Sequence, residues 1–186
     1  MSQRFIPTHG GYRKLYSYQK AEIIYDATVY FVARFLKRGD RTIDQMVQAA
    51  RSGKQNIAEA SMASATSKEM EIKLTNVARA SLEELLIDFQ DFLRIHGLSE
   101  WPREHPYAKR LDVLLSEKNP SFETFRKGIE HKNPEICVNI MIGLIKVTTF
   151  LLRRQIIRLE EDFLKHGGLR ERMTKARLAV RHEQKY

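Results

Sequence analysis

The side chains that could do chemistry in this chain are carboxylates, histidines, one cysteine and many cations. Glu59, Glu69, Glu71, Glu83, Glu84, Asp88, Glu160 and Glu161 supply carboxylates. Di-metal sites in helical proteins need Glu-x-x-His on facing helices, and no Glu-x-x-His occurs here. His9, His96, His105, His131, His166 and His182 form no HxxH, HxxxH or HExxH pattern, so a His-based metal site is not expected. Ser52-Gly53-Lys54 sits between Gln48 and Gln55 and lacks the outer residues of a phosphate-binding loop. Cys137 is the only cysteine and lies in an apolar run, which points to an inert buried thiol and excludes a disulfide within the chain. No Ser/His/Asp arrangement stands out. These patterns lead to the expectation of no catalytic residue, no metal, no cofactor and no enzyme activity.

Cations remain. The 186 residues include 32 Lys+Arg against 23 Asp+Glu, a formal charge of +9. That excess suits an anionic partner: nucleic acid, an acidic protein or an anionic surface. Its plain alternative is charge that serves only solubility. Phosphate neutralisation needs cations spaced along a surface rather than a strict motif. Candidate phosphate contacts are Arg51, Lys54, Lys73, Arg79, Arg153, Arg154 and Arg158, with Arg170, Arg172, Lys175, Arg177, Arg181 and Lys185 in the tail.

These residues are placed by helices. A first helix is expected over Tyr18–Lys37, with Tyr18, Ala21, Tyr25, Val29, Val32 and Leu36 on one face. Thr42 and Gln45 have the spacing of a capping box that opens a second helix, whose narrow face is Met46, Ala50, Gly53, Ile57 and Ala60. Arg51 and Lys54 lie on one flank of it; Ser52, Asn56 and Glu59 lie on the other. Thr66 and Glu69 suggest a further capping box and a third helix reaching His96. Its main face is Met70, Leu74, Val77, Ala78, Leu85, Phe89 and Phe92, and Ile72, Leu82, Leu86 and Leu93 widen it. Ser81 and Asp88 fall within or beside that arc. Polar groups near a core need partners, so Ser52, Asn56, Glu59, Ser81 and Asp88 are expected to form a network that fixes the register of the two helices.

Residues 97–133 carry Pro102, Pro106 and Pro120 and read as an irregular insertion with short helices near Tyr107–Glu117 and Ser121–His131. Asn133-Pro134 reads as cap and first position of a last long helix to about Lys165. Ile136–Leu152 is apolar almost all round, with a polar stripe of Asn139, Lys146 and Arg153. A helix apolar on most sides is buried on most sides, and self-association is the simplest way to cover it. Gly167-Gly168 ends it, and a basic amphipathic segment follows. The organisation expected is a flexible arm at 1–16, a helical body at 17–166 and a basic suffix at 167–186. MSQRFIPTHGGYRK has no apolar core of signal-peptide length, so a cytoplasmic setting without membrane contact is expected.

Gln45, Ala49-Ala50, Ser52 and Asn56-Ile57-Ala58-Glu59, followed by Leu74, Ala78, Ser81-Leu82 and Glu84-Leu85, resemble the signature of a family of four-helix-bundle proteins. That family was first named for reading frames in intervening sequences of large-subunit rRNA genes. The accessory variability determinant of diversity-generating retroelements is a relative. The resemblance covers Tyr18–Ile95. The last helix and Gly-Gly-Leu-Arg-Glu-Arg resemble a longer branch that has a suffix domain. Ala60 and Ala80 stand where glycines are common in the family, and Gly53-Lys54 where an apolar residue and proline are common. The insertion and tail have no counterpart in the shorter members. The resemblance implies an all-α, up-down antiparallel four-helix bundle with short extra helices and a basic helical tail. It also implies a ring-like homopentamer with a basic surface. In the retroelement relative the partners are a reverse transcriptase and nucleic acid. The expectation is a non-enzymatic homo-oligomer that binds RNA or structured DNA. Its rival is a scaffold that recruits a nucleic-acid enzyme such as a reverse transcriptase.

Overall fold

The computed structural model describes residues 10–183, and all regular structure among them is helical. A 3-10 turn at Tyr12–Lys14 precedes α1 (Tyr16–Phe35), α2 (Arg41–Ala63), α3 (Lys68–Ile95), α4 (Pro106–Leu115), α5 (Phe122–Ile129), α6 (Pro134–His166) and α7 (Leu169–Glu183). Residues 1–9 of the expected arm, and Lys185, lie outside the described residues. The later part of that arm is structured: Tyr12 meets Tyr18 edge-on at 4.7 Å, and α1 begins at Tyr16.

α1 and α3 each pack against both α2 and α6, while α4 and α5 lie on α6. Phe31 centres the core, with its ring 5.1 Å from Phe89 and 5.0 Å from Phe92. The buried face of α1 is rotated from the expected one. Ala21 and Val32 are inside as expected, but Ile24, Ala27, Thr28 and Phe31 join them and Val29 is exposed; both sets have helical spacing, and the bulky Ile24 and Phe31 take the core. On α3 the core runs through Ala78, Leu82, Leu85, Phe89, Phe92 and Leu93, and Met70 and Val77 are exposed.

Both early caps differ from expectation. Asp40, not Thr42, caps α2, and its carboxylate accepts the Thr42 backbone N–H at 2.9 Å. That bond holds the Asp40 carboxyl below the ordinary range. Ser67, not Thr66, caps α3 by accepting the Met70 N–H at 3.1 Å. In each case a residue with a short polar side chain lies one or two positions from the candidate, and it takes the cap with extended backbone. Asn133 caps α6 through the Glu135 N–H at 2.9 Å, with Pro134 next.

The largest departure concerns the apolar half of α6. Within this chain it is covered by the 97–133 segment rather than left for a second copy. Leu111 and Leu115 of α4 and Phe125 and Ile129 of α5 are buried together with Ile140, Met141, Leu144 and Ile145 of α6. Gly143 allows the approach of α4: a Cβ there would fall 2.6 Å from Leu111 Cδ2. Lys20 of α1 closes the far end of α4 by donating to the Leu115 carbonyl at 2.9 Å, one of the acceptors a helix C-terminus leaves unpaired. By length and composition α6 is long and apolar enough to cross a membrane, and 56% of its most apolar window is buried inside the protein.

The expected polar stripe on α6 is also recast. Asn139 is buried, and only Lys146 and Arg153 are exposed. Asn139 Oδ1 accepts the Trp101 N–H at 2.7 Å; its Nδ2 donates to the Ser99 and Glu135 carbonyls at 3.0 and 2.9 Å.

Candidate nucleic-acid interface

The candidate cations divide by what surrounds them. Lys73 and Arg79 are already engaged on α3. Lys73 donates to Glu69 at 2.6 Å one turn away. That hydrogen bond and charge hold the Glu69 carboxyl below its usual range. Arg79 pairs with Glu83 at 2.6 Å and donates to Asn76 Oδ1 at 3.0 and 3.2 Å. A phosphate would have to displace these acids. Such i,i+4 pairs on an exposed helix are weak, so the competition is mild but real.

Lys54 and Arg51 are separate cases on α2. The Lys54 ammonium lies 4.1 Å from the centre of the Tyr25 ring, a cation–π contact that ties α2 to α1. Arg51 is exposed and forms no ion pair among the described residues.

The remaining candidates lie towards the end of the chain. Arg153, Arg154 and Arg158 are exposed on the second half of α6, with the Arg154 guanidinium 6.0 Å from the Phe150 ring centre. Arg170, Arg172, Lys175, Arg177 and Arg181 follow on α7, where no residue from Leu169 to His182 is buried. None of these eight takes part in an ion pair among the described residues. Glu160, Glu161 and Asp162 lie between the two groups in the sequence. The junction between them is built by Gly167, whose φ of 66° lets the chain turn, and by Glu171, which accepts the Gly168 N–H at 2.9 Å.

The expected polar network is smaller than its candidate list. Ser52 Oγ and Ser81 Oγ are 3.0 Å apart across α2 and α3. Asn56 Nδ2 donates to Ser52 Oγ at 3.1 Å and to the Ser52 carbonyl at 2.9 Å. Asp44, Gln45, Gln48, Ala49 and Glu84 line a shallow groove with the two serines. No hydrogen bond among the described residues ties Glu59 or Asp88 to this trio. Asp88 is half-buried beside other acids; burial first, then Glu84 and Asp91, push its carboxyl above the ordinary range.

Cys137 is fully buried, and burial pushes its thiol up to about 12, against a smaller opposing effect from Arg34. It offers no thiolate near neutral pH. No group of three or more His, Cys, Asp or Glu side chains able to hold a metal ion occurs among the described residues.

One cluster escaped the sequence reading. Trp101, His105 and Tyr107 gather where the insertion leaves α3, with their rings in mutual contact. The run Trp-Pro-Arg-Glu-His-Pro-Tyr is the available signal: three aromatic rings, two prolines and one arginine in seven residues. No family model, curated protein or solved structure matches this chain.

Proposed function

We propose that this protein is a non-enzymatic accessory protein that binds nucleic acid through phosphate contacts, with Arg153, Arg154 and Arg158 of α6 and the cations of α7 as its main surface. The observation that carries this reading is the exposure of those eight cations with no acidic partner among the described residues. A helix with no buried side chain gains little from tertiary packing, so the composition of α7 suits a surface partner better than a core. Arg51, exposed on α2, is a separate phosphate contact, and Lys54, Lys73 and Arg79 play secondary parts.

The scaffold that presents these cations is read as an up-down antiparallel four-helix bundle of α1, α2, α3 and α6. The packing of α1 and α3 against both α2 and α6 supports it. So do the short connections between α1, α2 and α3, which make successive helices reverse. We also propose self-association in a cytoplasmic setting, away from membranes. Support for self-association rests on Phe150, Ile157 and Leu164, which stay exposed at seven-residue spacing on the half of α6 that the insertion leaves bare.

Binding to RNA or structured DNA should be steeply salt-dependent and weakly sequence-selective. A titration of labelled RNA at rising salt tests this: affinity that is absent at low salt, or unmoved by salt, defeats the reading. The same exposed apolar stripe favours a second reading, a scaffold that recruits a nucleic-acid enzyme such as a reverse transcriptase. A partner retained in pull-down after nuclease treatment supports the scaffold over direct binding.

A further inference from the structure

Trp101, His105 and Tyr107 form a triangle of aromatic rings at the start of the insertion. The Trp101 and His105 rings are stacked, with centroids 5.1 Å apart and planes 7° from parallel. Tyr107 leans on both, 5.4 Å from Trp101 and 5.5 Å from His105, with its plane tilted by 41° and 46°. None of the three belongs to the core; Tyr107 is 47% exposed, and the other two are half-buried.

The triangle is held rigidly. Asn139 fixes the backbone at Ser99 and Trp101. Glu100 between them bonds Lys146 of α6 and accepts from Gln90 of α3 at 2.9 Å. Burial alone would raise the Glu100 carboxyl, but the Lys146 and Gln90 bonds outweigh it and hold the group below its usual range. On the other side, His105 Nδ1 accepts the Tyr107 N–H at 3.2 Å and caps α4. A surface cluster tied down at both ends loses little entropy when a ligand settles on it.

Its surroundings are cationic. Arg103, Lys109 and Arg110 are exposed and form no ion pair among the described residues. The Arg110 guanidinium lies 5.9 Å from the Tyr107 ring centre, at the outer limit of a cation–π contact. Glu104 is the one carboxylate between Trp101 and Arg110. The exposed Tyr107 ring and the exposed edge of the Trp101–His105 stack, beside cations with no ion pair among the described residues, match a planar, anionic ligand. In a duplex the base faces are covered by their neighbours, so the ligand that offers both a free base face and a phosphate is a single strand.

We propose that Trp101, His105 and Tyr107 are a stacking platform for an unpaired base of a single-stranded nucleic acid, with Arg103, Lys109 and Arg110 on the adjoining phosphates. This rests on the nucleic-acid reading above and adds the strand type and a site. The platform also assigns the insertion a part in binding beyond covering α6.

Trp101 is the chain's only tryptophan, so its emission reports on the platform alone. The test titrates the full-length protein with an oligouridylate of about twelve nucleotides, within the span one such site covers. An abasic strand of equal length and charge is the control, and labelled-strand anisotropy follows total binding in parallel. Oligouridylate should quench Trp101 and the abasic strand should not. Tyr107→Ala should weaken oligouridylate binding about tenfold, the loss expected for one stacked base, while Tyr107→Phe keeps it. If both strands bind equally without quenching, the platform is wrong and phosphate binding stands. If neither strand binds at low salt, both readings fall. Quenching by a proline-rich peptide and not by oligouridylate assigns the cluster to a protein partner and overturns the proposal.

Discussion

The side chain of Asn139 and the backbone of Trp101 are joined across 38 residues of sequence by a 2.7 Å hydrogen bond. This one buried amide satisfies the Trp101 N–H and the Ser99 carbonyl, and so locks the entry of the insertion onto α6. Asn139→Ala removes the partner of the Trp101 N–H and one partner of the Ser99 carbonyl at a part-buried site. The expected cost is about 1–2 kcal/mol of stability. Chemical denaturation followed by Trp101 emission checks it, and the native emission should also shift to the red. An unchanged midpoint and spectrum would mean that the insertion is held by something else.

Gly53 shows how closely α2 and α3 approach. A Cβ at this position would lie 2.7 Å from Leu82 Cγ and Cδ2, and Leu82 is fully buried. Alanine is favoured over glycine inside a helix by about 1 kcal/mol. Overpacking against a fixed branch point costs about 1–3 kcal/mol. Gly53→Ala should therefore be destabilising on balance. In a double-mutant cycle, Gly53→Ala should be better tolerated in a Leu82→Ala background, where the clash is gone. Thermal unfolding of the four proteins measures the coupling; additive effects would place the helices farther apart than described.

Asp88 gives a pH test. Its folded carboxyl lies above the ordinary value of 3.8 because of burial, then Glu84 and Asp91. The folded protein therefore holds this proton at pH values where the unfolded chain has released it. Stability drops as pH rises through the window from 3.8 to the raised folded value, and the penalty is complete above it. Asp88→Asn should stabilise the protein slightly at pH 7, solvent screening keeping the gain small. The difference should shrink on acidification and disappear below pH 3.8. Denaturant midpoints of both proteins across pH measure this. A destabilised variant at pH 7 would mean that the charged carboxylate has a partner.

How far the sequence revealed this arrangement depends on the kind of interaction. The long helices follow from periodicity, and Asn133-Pro134 marks the start of α6 because cap and proline act within one turn. The Ser52–Asn56–Ser81 trio was suggested by polar residues on facing flanks, and these short side chains do meet. The pairing of Lys73 with Glu69 and of Arg79 with Glu83 is also readable as i,i+4 spacing. The partner of an apolar face was not readable. Periodicity shows that α6 must be covered, but the identity of the cover depends on a loop of 97–133 folding back. The same ignorance made Asn139 look solvent-facing, since a buried amide and an exposed one have the same place in a helical pattern.

The central claim is that the unpaired cations of α7 bind phosphate, while those paired on α3 do not matter much. The most direct measurement is the slope of log affinity against log salt for RNA binding by three full-length proteins. These are the wild type, a variant with Arg170, Arg172, Lys175, Arg177 and Arg181 all changed to Ala, and Lys73→Ala/Arg79→Ala. Each lost phosphate contact should reduce the slope by about 0.7–0.9. The α7 variant should bind weakly with a markedly flatter slope, and the α3 variant should stay close to the wild type. An α7 variant with unchanged slope and affinity, or an α3 variant that loses most of its binding, would contradict the account.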